Sequence, residues 1–170
     1  ILNNEKEFIN QRLAIVQKGS LEEYRLSMEL IDKDKELDIL QAKRKITDKE
    51  QLAKTLETIE AKYNLKILKT EEDLYKTTTS LEEQALANQR DSWENGNLEW
   101  LKADVVYKEA LLKNLRQMLN ESDAEFEARV IKARKDLDTA RQSLAGYSSG
   151  IGDVYGDGLA GNKVRVAEAG

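Results

Sequence analysis

The 170-residue chain is 35% charged and only 6% aromatic, with a mean hydropathy of −0.65, which excludes a compact globule with a thick core. Its 27 basic and 32 acidic residues interleave to a net charge of −5, the pattern of wet helix faces rather than of an electrostatic grip on nucleic acid. Cysteine and histidine are both absent, which removes disulfides, thiolate nucleophiles, imidazole bases and the commonest zinc ligands.

Proline is also absent, and good helix formers dominate up to residue 145, so the composition predicts an all-α chain. The longest apolar run is of the Leu13-Ala14-Ile15-Val16 kind, far short of the roughly 20 residues a membrane-spanning helix needs. The chain begins at Ile1 with no signal-peptide pattern, and is expected to be a piece of something longer.

Residues 1–19 are expected to form an N-terminal helix carrying Phe8, Ile9, Leu13, Ile15 and Val16. Lys18-Gly19 ends it, and Ser20 with Glu23 fits a capping box that starts the next helix. That helix holds Leu21, Tyr24, Met28 and Ile31 on one stripe and Leu26, Leu30, Leu37 and Leu40 on a neighbouring one, enough to touch two partners. It closes on Lys43-Arg44-Lys45, the densest basic cluster. Cations suit a helix C-terminus, and a phosphate-binding patch is the other reading.

Thr47 with Glu50 makes a second capping box, followed by Leu52, Leu56, Ile59, Tyr63, Ile67 and Leu74. Thr77-Thr78-Thr79-Ser80 is weakly helical, and Ser80 with Glu83 makes a third box, so a kink or break is expected at 77–80. Residues 20–94 then form a first helical hairpin. Asn95-Gly96-Asn97 stops it, with Trp93 and Trp100 expected to staple the turn.

The second hairpin spans 98–144. Leu98, Leu101, Val105, Leu112, Leu115 and Leu119 form a heptad stripe whose one polar member is Lys108. After Asn120-Glu121, Ser122 and Glu125 make a fourth capping box. The stripe resumes through Phe126, Val130, Ala133, Leu137, Ala140 and Leu144. Two such halves across a short polar break predict an antiparallel helix-packing seam. A heptad seam serves equally within one chain or between chains, and Lys108 either snorkels from it or marks where it opens.

Shifted by 75 positions, Leu26 falls on Leu101, Leu30 on Val105, Leu37 on Leu112, Leu40 on Leu115 and Thr47-Asp48-Lys49-Glu50 on Ser122-Asp123-Ala124-Glu125. This is either an internal repeat or the coincidence of two amphipathic helices with one period. From residue 145 the chain is Gly-rich, with seven of its nine glycines, and 145–170 is expected to be a flexible tail in which Lys163-Val164-Arg165-Val166 makes at most a short strand.

No stretch carries a reaction. Asp153, Asp157 and Gly158 imitate a calcium loop, but Tyr155 and Val164 occupy two ligand positions. Gly156 to Lys163 lacks the Gly-Lys-Ser/Thr ending of a phosphate loop. A bundle-type di-metal site needs histidine. The expectation is therefore a non-enzyme with no cofactor, no metal, no small-molecule substrate, no specific nucleic-acid site and no membrane-spanning segment.

Gln17-Lys18-Gly19-Ser20-Leu21-Glu22-Glu23-Tyr24-Arg25-Leu26, Glu29-Leu30-Ile31-Asp32-Lys33 and Ala61-Lys62-Tyr63 resemble the helical segments of phage tail tape measure proteins. The likeness is to those of Bacteroidetes phages and prophages, and covers residues 10–75. The resemblance implies a long helical virion protein inside the tail tube, which sets tail length and leaves at infection to help DNA enter the host. It further implies self-association in threes or sixes, tail tube and tip proteins as partners, a place in the tail lumen or tip, and no catalytic residue. The hairpin breaks and the Gly-rich tail depart from a simple rod and suit a region near one end. The alternative is a non-viral helical-hairpin scaffold in the bacterial cytoplasm; a membrane-burying toxin helix is disfavoured by the short apolar runs.

Overall fold

A computed structural model describes residues 1–156, with side chains as far as Tyr147. The described residues are all-helical, without a strand: α1 is Leu2–Leu13, α2 Leu21–Lys45, α3 Lys49–Asp91, α4 Leu98–Lys113 and α5 Asp123–Gly156. The chain divides into two compact units, one from Ile1 to Thr78 and one from Thr79 onward, and α3 runs through the division.

In the first unit α1 runs antiparallel to α2. Lys33 Nζ meets Glu5 Oε1 at 2.6 Å, and Arg12 meets Glu22 Oε2 at 2.7 Å. These ion pairs bracket Ile9 and Leu26, both buried. The other stripe of α2 faces α3, where Ile31, Ala42, Ile59 and Tyr63 form a core ringed by Met28, Ile39, Ile46, Leu52, Leu56 and Ile67. Met28 and Ile31 of one stripe thus meet α3 and Leu26 of the other is buried, while Leu21 and Leu40 at the stripe ends are exposed. α1 stops at Leu13 rather than near Gln17, because the Ile15 and Val16 amides turn back onto the Arg12 carbonyl. Gly19, at φ +77°, supplies the left-handed residue that lets the chain reverse into α2.

Two expectations are overturned here. The first is the break at 77–80: α3 is continuous through it. The Thr77 and Thr78 hydroxyls donate to the carbonyls of Asp73 and Leu74, both at 2.9 Å, so these side chains bond to the helix instead of competing with it. The second is the start of the tail at residue 145, since α5 continues over 145–156. Extending a helix already nucleated over 123–144 is far easier than starting one, which offsets about 1 kcal/mol of lost propensity at each glycine. Residues 157–170, with the Lys163–Val166 strand and most of the two loop motifs, lie outside the described residues.

Candidate functional site

The helix-packing seam lies in the second unit, where α4 packs on α5. Of the stripe residues, Leu101, Leu137 and Ala140 are buried. Leu98, Val105, Leu112, Phe126, Val130, Ala133 and Leu144 are half-buried on the same two helices. Leu115 and Leu119 are not on the helical seam at all. α4 ends at Lys113, Leu115 is half-buried in the link, and Leu119 is 41% exposed in a turn. The heptad spacing carries no information about this early stop, since the apolar stripe continues at helical spacing past Lys113.

The polar member of the stripe has a partner the sequence reading missed. Asp104, one turn before Lys108, is only 5% exposed. Lys108 Nζ donates to its Oδ2 at 3.2 Å, and Arg90 Nη1, from the last turn of α3, donates to its Oδ1 at 2.8 Å. A carboxylate this buried is tolerated only when paired and hydrogen-bonded. Lys108 therefore helps neutralise an interior anion. The Arg90 guanidinium lies between two aromatic rings, 5.2 Å from the Trp100 centroid and 4.7 Å from Tyr107. Its bond to Asp91 first, and then that to Asp104, hold its proton more tightly than usual, while Arg90 holds the Asp91 carboxyl below the usual range. The i, i+4 spacing of Asp104 and Lys108 was the one available signal. Of the two tryptophans expected to staple the turn, Trp100 packs under Arg90 and Trp93 is exposed.

The first unit places its polar group differently. Buried Tyr63 donates to Asp38 Oδ2 at 2.6 Å, and Lys62 Nζ reaches the same oxygen at 3.0 Å. Burial, and then Asp38, push the Tyr63 phenol up; Tyr63, and then Lys62, hold Asp38 down.

At the caps, Ser20 Oγ accepts the Glu23 amide at 3.1 Å, and Glu23 Oε1 accepts the Gly19 amide at 2.9 Å. Ser122 and Glu125 satisfy each other's amides, at 3.1 and 3.0 Å. Thr47 is not a cap, because α3 starts one residue later than it requires and Asp48 Oδ1 accepts the Gln51 amide at 2.8 Å. The register Asp48-x-x-Gln51 supplies the stronger acceptor of the two. Ser80 is not a cap either, since it lies inside continuous α3. Asn97, read only as part of a stop, caps α4 by accepting the Trp100 amide at 2.8 Å, and Gly96, at φ +87°, makes the turn before it.

The first unit also has a polar cleft of about 230 Å³ between α2 and α3, lined by Lys18, Glu23, Tyr24, Thr70 and Asp73. A shallower groove by Phe8, Glu29 and Lys33 lies against α1 and α2. Among the described residues no group of three or more carboxylates is placed to hold a metal ion, and no helix is long and apolar enough to cross a membrane. In comparisons with known proteins, no family model, no curated protein and no solved structure matches the chain.

Proposed function

We propose that the chain is a structural, non-enzymatic segment of a phage tail tape measure, whose helical hairpins associate with further copies of themselves as coiled coils in the tail lumen or at its tip. The observation that supports this reading is the apolar surface left on helices that already have an intramolecular partner. Leu65 and Leu68, three residues apart on α3, are 48% and 49% exposed, and Val106 on α4 and Ile131 on α5 are exposed as well. Large apolar side chains on such helices suit a trimer or hexamer in which each copy covers its neighbour.

The test is the mass of the chain in solution together with the gene that encodes it. A trimer or hexamer is expected by light scattering, reduced to monomer in Leu65→Glu/Leu68→Glu, from a long helical reading frame beside tail-tube genes. A monomer at every concentration, or a short gene standing alone, overturns the reading; the latter outcome would move the same surfaces to a non-viral scaffold.

A further inference from the structure

The link between α4 and α5 is at odds with its own sequence. Residues 114–120, Asn-Leu-Arg-Gln-Met-Leu-Asn, are mostly good helix formers, and the stripe from Leu98 continues through Leu115 and Leu119 at helical spacing. α4 nevertheless stops at Lys113. The stretch 75 positions earlier is helical: Leu40 to Lys45 completes α2, and only residues 46–48 separate it from α3.

A clasp holds the second link out of the helix. Arg129, in the second turn of α5, donates from Nε to Glu121 Oε2 at 2.6 Å and from Nη2 to Glu121 Oε1 at 2.7 Å, a bidentate pair. The same Nη2 donates to the Arg116 carbonyl at 2.9 Å, and Glu121 Oε1 accepts the Met118 amide at 3.1 Å. Gln117 Nε2 ties the link further, to the Glu121 carbonyl at 3.1 Å and Asp123 Oδ1 at 2.8 Å. In a continued helix the Met118 amide would bond the Asn114 carbonyl, and the Arg116 carbonyl would take the Asn120 amide. The clasp therefore occupies two backbone groups that helix extension needs. Helix and clasp are mutually exclusive uses of one segment.

We propose that the second hairpin has two alternative tips, a looped one fastened by Glu121 and Arg129 and a helical one in which α4 runs on to Asn120, as α2 runs to Lys45. In the helical form Leu115 and Leu119 join the seam against α5. The Ser122–Glu125 box persists in both forms, because its bonds join only residues 122 and 125. The sequence favours the helix locally, and the bidentate pair opposes it, so the choice of tip rests on that pair.

Amide exchange and Cα chemical shifts of the full chain test this in Glu121→Gln and in Arg129→Gln. The expected result is that amides 115–120 exchange about tenfold more slowly than in the unaltered chain and take helical shifts, while 98–113 keeps its protection. Reversing the pair, with Glu121→Arg and Arg129→Glu together, should restore fast exchange in 115–120. Three results overturn the proposal: 115–120 staying as exposed in both single variants as in the unaltered chain, loss of protection spreading through α4 in both, or a reversed pair that leaves 115–120 helical.

Discussion

Between α2 and α3 the chain turns within residues 46–48, whereas between α4 and α5 it takes 114–122, although the two hairpins carry matching apolar stripes. The polar groups inside them differ as well. In the first, a buried phenol gives one hydrogen bond to the half-buried Asp38 carboxylate. In the second, the buried group is itself a carboxylate, and two cations from two helices converge on it. A phenol needs one acceptor, but a carboxylate removed from water needs nearly its full charge balanced. Apolar spacing chooses which faces meet; polar groups decide where the helices stop and how costly the interior is to disturb.

The largest test of that contrast is Leu137→Asp, which places an unpaired charge at a buried position of the α4–α5 seam and should cost about 4 kcal/mol. Leu112→Asp, at a half-buried position, should cost less. Denaturant unfolding measures both, and an unchanged midpoint for Leu137→Asp would remove the seam from the account. Next is Arg90→Met, which leaves Asp104 with Lys108 alone; a loss of about 3 kcal/mol is expected, against about 1 kcal/mol for Tyr63→Phe in the first unit. Equal losses in the two variants would erase the distinction between the two polar interiors.

At the tips, Asp48→Ala should cost about 1 kcal/mol and Thr47→Ala less than about 0.5 kcal/mol, since only Asp48 caps α3. The reverse order in thermal unfolding would restore Thr47 as the cap. A pH test addresses Glu121, whose side chain is 13% exposed and whose carboxyl Arg129 holds down at about 2, below its ordinary 4.5. The folded form thus binds its proton less readily than the unfolded chain. Its contribution is complete above pH 4.5 and is lost as the pH falls towards 2. An NMR titration placing Glu121 near 4.5 would show that the second tip is not clasped.

Much of the fold was legible because it rests on local rules. Ser20, Ser122 and Gly19 stand where hydroxyl capping and a left-handed turn require them. The threonine run misled because propensity describes a residue without its neighbours, while Thr77 and Thr78 bond back to carbonyls of the helix they sit in. Thr47 misled by one register position, which a nearby carboxylate was able to take. The Arg90–Asp104 pair joins α3 to α4 across the turn at 92–97, and spacing along one helix does not reveal which groups meet across a turn.

The sequence by itself determined that the chain is helical up to residue 144, which faces of α2, α4 and α5 are apolar, and which hydroxyls start α2 and α5. These follow from periodicity and from bonds spanning three or four residues. Only the tertiary structure decided that α3 runs unbroken past 77–80, that α4 ends at Lys113, and that Lys108 faces a buried carboxylate. The last two lie where groups distant in the chain meet, Arg129 of α5 beside Glu121 of the link and Arg90 of α3 beside Asp104 of α4, and no local spacing sets such meetings.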